Sequence, residues 1–203
     1  MVASSRVESI SLGESINQQI LNASRDEFRK LQPSTTGQPY DKVVVGAAAL
    51  RYASDSGFPK TPSILLLKRA AHEVYFPNVF ELPSGKVDPE DPTIQHALVR
   101  EVQEETGLDV TAIVAELKPM IYSTDKMVLD NSGRDVLISK SAIQLNYIVS
   151  ISNGNVKLSA NEHSESTWAT EGELDGLNIT SAMRVVVQEV LKWAASKLHR
   201  EEN

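Results

Sequence analysis

The sequence predicts an α+β protein in which a mixed sheet is flanked by helices. Three observations carry this. Short apolar and β-branched runs are spread from Lys42 to Ala169, a capped helix near mid-chain ends in acidic residues, and a long amphipathic helix closes the chain. Strands interleaved with helices that each bury one stripe suit an α/β/α sandwich, although the pattern alone admits other α+β arrangements.

At 203 residues the chain suffices for one well-cored domain with a terminal addition. Residues 1–39 are expected to form an N-terminal helical extension, and residues 40–203 the main domain. Ser15 through Leu31 has a weak helical pattern, with Ile16, Ile20, Leu21, Phe28 and Leu31 as candidates for one face. Pro33 and Ser34-Thr35-Thr36-Gly37 break it. A strand follows at Lys42–Leu50, built on Val43-Val44-Val45, and another at Ser63–Lys68 after the turn-rich Ser54-Asp55-Ser56-Gly57. Further strands are expected at Val110–Met120, Leu137–Ser150 and Glu165–Ala169, with a short hairpin around Asn153-Gly154. The closing helix spans 180–199. Met183, Val187, Val190, Leu191, Ala194 and Leu198 share a face, and Thr180 or Ser181 caps it.

The mid-chain helix is expected over residues 92–106. Asp91 suits the N-cap, Pro92 the first helical position, and Gly107 the residue after the last turn. At about 100° per residue, Ile94, Ala97, Leu98 and Val102 define an apolar sector. Glu101 and Glu105 fall inside that sector and Glu104 just outside it. A solvated acidic patch is one reading. It stacks like charges at i,i+3 and i,i+4, at the end of the helix dipole that disfavours them. A divalent-cation site is the other reading, because hard cations such as Mg²⁺ take carboxylate oxygens. Arg100 lies four residues before Glu104, where it can form an ordinary ion pair or orient a carboxylate through its planar fork.

Net charge is −7 and the isoelectric point about 5.2, which argues against a binder of nucleic-acid backbone. No apolar run reaches membrane-span length. The chain has no cysteine, which rules out disulfides, thiolate metal sites and a cysteine nucleophile; this is compatible with a cytoplasmic location. Neither a nucleic acid nor a membrane is therefore expected as a partner, and a homodimer is left open.

Gly85 through Leu108 resembles the Nudix hydrolase signature. That signature is a glycine and a glutamate followed by Arg-Glu-aliphatic-x-Glu-Glu-x-Gly-aliphatic, and its second half is matched by Arg100, Glu101, Val102, Glu104, Glu105, Gly107 and Leu108. The approach is also similar, with Leu65-Leu66-Leu67-Lys68-Arg69 and then Phe80-Glu81-Leu82-Pro83-Ser84-Gly85-Lys86-Val87. Three positions depart. Gly85 to Arg100 is one residue longer than in the family, Asp91 or Glu90 stands for the first glutamate, and Ser84-Gly85 replaces Gly-Gly. The extra residue falls in a loop, where insertions are tolerated.

The resemblance implies an α/β/α sandwich and hydrolysis of a diphosphate bond in a nucleoside diphosphate linked to another moiety. ADP-ribose-like compounds, nucleotide sugars and nucleoside triphosphates all remain open as substrates. It implies Mg²⁺ or Mn²⁺ on Glu101, Glu104 and Glu105, with the backbone at Gly85 as a loop ligand. Catalytic roles would fall on Glu104, Glu105 and Arg100. Asn161 through Trp168 resembles a family stretch that supplies a general base; Glu162 is the first choice and Glu165 the second. His163 is expected on the surface. Arg69, Lys86 and Phe76 are candidates for substrate binding, Lys86 because it adjoins Gly85 and Phe76 because an aromatic ring can stack on a base. A related isomerase that depends on cysteine does not fit this chain. The alternative is a non-catalytic Nudix-fold module that binds a nucleotide.

Overall fold

The computed structural model describes Val7 and residues 10–32, 37–53 and 61–201. The turn expected at Ser54-Asp55-Ser56-Gly57 and the break at Pro33 through Thr36 lie outside the described residues.

The described chain begins with β1 (Ser11–Leu12), α1 (Gln18–Leu21) and α2 (Arg25–Leu31). The single helix expected over 15–31 is thus two, because Ser24 starts a new one. The Ser24 hydroxyl accepts from the Glu27 amide, and the Glu27 carboxylate accepts from the Ser24 amide, closing a capping box. Ile16, Leu21 and Phe28 are buried as expected, whereas Leu31 is exposed.

There follow β2 (Lys42–Ala53), β3 (Thr61–Arg69), β4 (Phe80–Glu81), β5 (Ser84–Lys86), α3 (Ile94–Thr106), β6 (Val110–Glu116), β7 (Met120–Leu129), β8 (Asp135–Ile151) and β9 (His163–Ala169). A 3₁₀ turn (Glu171–Gly176) leads to α4 (Ser181–Glu201), whose first turn is capped by the Thr180 hydroxyl accepting from the Met183 amide. The strand expected over 110–120 ends at Glu116, and Met120 opens a new one. Pro119, which has no N–H to offer a ladder, sits between them.

The sheet runs β1-β6-β8-β2-β3-β4, with β5 also on β2, β7 on β8 and β9 on β3. Strands β2 and β8 pair in parallel and the remaining long pairs are antiparallel, so the sheet is mixed. Period-2 alternation then divides the core. Val43, Val45, Ala47, Leu65, Leu67, Ile143 and Leu145 face α3, where they meet Ile94, Leu98 and Val102. Ala48, Ile64, Leu66 and Ile148 face α4 through Met183, Val187, Val190 and Leu191. The expected sandwich is therefore present. Ile16, Leu21, Ala23 and Phe28 belong to the α3-side core, so residues before 40 pack into the same interior as the sheet.

The hairpin expected at Asn153-Gly154 does not form, since no strand lies between β8 and β9. That segment lies instead across the C-terminal end of α3. Lys157 N–H donates to the Thr106 carbonyl (2.8 Å) and Ser159 N–H to the Glu105 carbonyl (3.3 Å). The end of a helix leaves such carbonyls without partners, and the loop supplies them. This contact brings residues 159–163 to the acidic turn.

Candidate active site and metal centre

Helix α3 begins two residues later than expected. Thr93, not Asp91, is the N-cap, its hydroxyl accepting from the His96 amide, and Pro92 stands before the cap. Asp91 is withdrawn from capping because Arg100 occupies it. Arg100 Nε donates to Asp91 Oδ1 (2.9 Å) and one terminal nitrogen to Oδ2 (2.8 Å). Oδ2 also accepts from the Asp88 amide at 2.8 Å, which folds the lengthened loop back on itself. At the other end Gly107 takes the left-handed conformation (φ 68°), as a helix terminus needs.

The same guanidinium sets the carboxylates of α3. Its second terminal nitrogen donates to Glu101 Oε1 (2.8 Å) and Glu104 Oε2 (3.1 Å), and the first also donates to the Lys86 carbonyl (2.9 Å). Arg100 thus holds three carboxylates, those of Asp91, Glu101 and Glu104, and has no nitrogen pointed at open space.

Glu101 and Glu105 are buried, at 9% and 3% exposure, whereas the Glu104 side chain is 60% exposed. Burial pushes the Glu101 carboxyl up to about 7, against the pull of Arg100. Burial also raises Glu105 well above the usual carboxylate range, against the Ser84 amide that donates to it at 2.8 Å. Glu101 and Glu162 push Glu105 further the same way. Gly85 is required by this arrangement. A Cβ there would lie 2.1 Å from Glu101 Cδ. The extra loop residue does not disturb that contact, because Gly85 is held in register opposite Val45 within the sheet. Ser84 acts through its backbone N–H, which explains why it can stand where the family has glycine.

The late loop completes the cluster. Glu162 is exposed, and one ligand atom from each of Glu105, Glu162 and His163 lies within 4.8 Å of the others. Glu165 instead pairs with Lys68 at 3.2 Å. His163 is not on the surface: it is 2% exposed as the first residue of β9. The donor set of buried, charge-crowded carboxylates fits a divalent cation, which would relieve the repulsion that raises Glu105.

Beside the cluster opens a cavity of about 400 Å³, lined among others by Lys42, Arg69, Tyr75, Phe76, Lys86 and Tyr122. That volume falls in the range of small-molecule sites. The three expected substrate contacts all reach it but differ in freedom. Lys86 is exposed. Phe76 is 46% exposed and sits at φ 53°, a left-handed backbone that a bulky residue adopts only under strain. Arg69 is fully engaged, donating to the Tyr75 carbonyl (2.9 Å), Glu81 (2.7 Å) and Glu73 (2.7 Å). It braces the wall rather than presenting a free cation.

Lys42, Thr124 and Gln144 were not anticipated at the site. Lys42 Nζ donates to Thr124 Oγ1 (2.9 Å) and lies 5.1 Å from the Tyr75 ring centroid. Burial pulls the Lys42 ammonium below the usual lysine range, and Lys86 and Lys140 push it the same way. Ammonium groups crowded against one another favour an anion between them. Gln144 and Asn146 are the signal available in the sequence. They are polar residues alternating with Ile143, Leu145 and Tyr147, and so they mark the polar face of a central strand.

Buried carboxylates at the end of a helix thus lie next to a cavity lined with cations and aromatic rings. The NUDIX domain model matches residues 43–190, so the chain belongs to the NUDIX family. No curated protein matches it in sequence. Among solved structures, the NUDIX domain of Shewanella oneidensis NrtR complexed with ADP ribose is 14% identical with a TM-score of 0.51, covering 81% of this chain and 96% of that one. The MutT protein from Methanosarcina mazei Go1 is 21% identical with a TM-score of 0.49, covering 80% and 95%. A C. elegans Ap4A hydrolase binary complex is 19% identical with a TM-score of 0.46, covering 76% and 98%. The likeness to the NrtR domain bears on the fold alone.

Proposed function

We propose that the protein is a divalent-metal-dependent pyrophosphohydrolase that cleaves a diphosphate bond in a nucleoside diphosphate linked to another moiety. The observation that carries this is the pairing of Glu101 and Glu105. Both are buried, both are raised by burial, and both are positioned by Arg100 or the Ser84 amide beside a cavity edged with lysines. A structural core does not need two carboxylates there, and leaving them uncompensated is costly.

Glu101, Glu104 and Glu105, with the backbone at Gly85, would hold Mg²⁺ or Mn²⁺. When bound, the ion neutralises phosphate charge and assists attack by water. The chain's own residues do the rest. Lys42 and Lys86 draw the diphosphate into the cavity. Phe76, presented by its strained backbone, stacks on the base. Glu162, an exposed carboxylate within 4.8 Å of Glu105, accepts the proton of the attacking water. Attack at one phosphorus breaks the bridging P–O bond, and the leaving phosphate departs on the other half of the substrate. Arg100 positions Glu101 and Glu104, and Arg69 braces the cavity wall through Glu73 and Glu81.

The test is a panel of ADP-ribose, nucleotide sugars, dinucleoside polyphosphates and nucleoside triphosphates, incubated with Mg²⁺ or Mn²⁺ and with EDTA. Metal-dependent release of a nucleoside monophosphate from at least one compound is expected. Binding of a nucleotide without turnover across the panel would mark a non-catalytic module instead.

A further inference from the structure

We propose that His163 supplies a nitrogen ligand to a divalent cation, together with carboxylate oxygens of Glu105 and Glu162. This gives the site a mixed nitrogen–oxygen donor set. The inference shares Glu105 and Glu162 with the hydrolase reading, and its readout does not depend on turnover.

The starting point is an orphaned side chain. His163 is 2% exposed, and neither of its ring nitrogens has a hydrogen-bond partner among the described residues. Buried polar groups are nearly always partnered, and an exception asks for an unseen ion or water. Two carboxylate oxygens lie near Nε2, Glu81 Oε1 at 3.7 Å and Glu105 Oε1 at 3.9 Å, and both are too far for a hydrogen bond. Ligands bound at roughly 2.0–2.2 Å to one ion stand about 3 Å apart when adjacent and about 4.3 Å when opposed. The ligand atoms of Glu105, Glu162 and His163, all within 4.8 Å of one another, fit that spread after small adjustment. Glu81 is held by Arg69 at 2.7 Å and is not free to join.

The backbone places the ring there for a local reason. The β3–β9 register shifts between Lys68 and Arg69, which sets His163 opposite Arg69. Ala70 N–H donates to the Glu162 carbonyl (2.8 Å), and His163 N–H donates to the Ser159 carbonyl (2.9 Å). Glu162 is thus pinned by its backbone while its exposed side chain remains free to swing towards an ion. Imidazole favours borderline transition metals over Mg²⁺, so this ligand would tilt the site towards Mn²⁺, Co²⁺ or Zn²⁺.

The experiment is pulsed EPR on tag-free protein loaded with Mn²⁺, read for nitrogen-14 modulation, alongside Mn²⁺ and Mg²⁺ titrations. Strong imidazole modulation is expected in the wild type and in a variant combining His72→Gln, His96→Gln and His199→Gln, which leaves His163 as the only histidine. His163→Gln should remove the modulation and weaken Mn²⁺ binding by tenfold or more, with a smaller effect on Mg²⁺. If His163→Gln does not fold, the triple variant still decides the assignment. An all-oxygen Mn²⁺ spectrum, or no Mn²⁺ binding, overturns the inference. Turnover with an all-oxygen spectrum leaves the hydrolase reading standing, and nitrogen ligation without turnover on the panel sinks that reading instead.

Discussion

Gly85 and Glu101 are the tightest pair in the site, and their contact decides what each can be. A methyl group at residue 85 would overlap the carboxylate, with both Glu101 oxygens 2.2 Å from the added carbon. Gly85→Ala should therefore displace Glu101 from Arg100. The expected loss is about 1–3 kcal/mol of stability from overpacking, together with weakened metal binding. A denaturant melt and a Mn²⁺ titration check both. Arg100 offers a second test at this scale. Asp91→Asn keeps a residue able to cap a helix but removes the charge that pairs with Arg100. Because the cap is Thr93, the substitution should destabilise by about 2 kcal/mol, the range of a lost charge-assisted hydrogen bond. A change within experimental error would mean that Asp91 is not the partner of Arg100.

Among elements, α3 was the most legible in sequence and also the most instructive in its error. Its apolar stripe and Gly107 located it, and the inward rotation of Glu101 and Glu105 follows from helical geometry alone. The start was misplaced because Asp91 and Thr93 are both good caps, and only the contact with Arg100, nine residues on, separates them. Thr93→Ala should cost about 1 kcal/mol in thermal or chemical unfolding. Strand β7 was missed for a related reason. Tyr122 through Lys126 is polar and exposed for most of its length, so its partner β8, not its own pattern, makes it a strand. The turn signal at Asn153-Gly154 was real but served the end of α3 rather than a hairpin. His163 was misjudged because a histidine in a polar stretch gives no sign of the bulge that turns it inward.

For the molecule as a whole, the two faces of one sheet carry separate tasks. The α3 face holds the carboxylate cluster, and Phe28 and Leu21 from the N-terminal segment complete the core behind it. Phe28→Ala should cost about 3–5 kcal/mol, as core aromatic truncations do, which an unfolding titration would report. The buried carboxylates also give the metal-free protein a characteristic pH dependence. Glu101 titrates near 7 when folded and near 4.5 in an exposed chain. Between those values the folded state holds more protons on this group, so its contribution to stability is fully present below about pH 4.5 and is lost as pH rises through about 7. Glu105, also raised, acts in the same direction. The melting temperature without metal should fall across this window. Adding Mn²⁺ should restore more stability at pH 8 than at pH 5, because protons compete with the ion.

The central claim, that buried glutamates at the end of α3 make this a metal-dependent hydrolase, is tested most directly by Glu105→Gln. The measurement is Mn²⁺-dependent turnover of the best substrate from the panel, with the melting temperature of the metal-free protein taken in parallel. Turnover should be abolished. The metal-free variant should melt at or above the wild type at pH 8, since a buried ionisable carboxyl is replaced by a neutral amide. A folded Glu105→Gln protein that turns over substrate at the wild-type rate would contradict the claim.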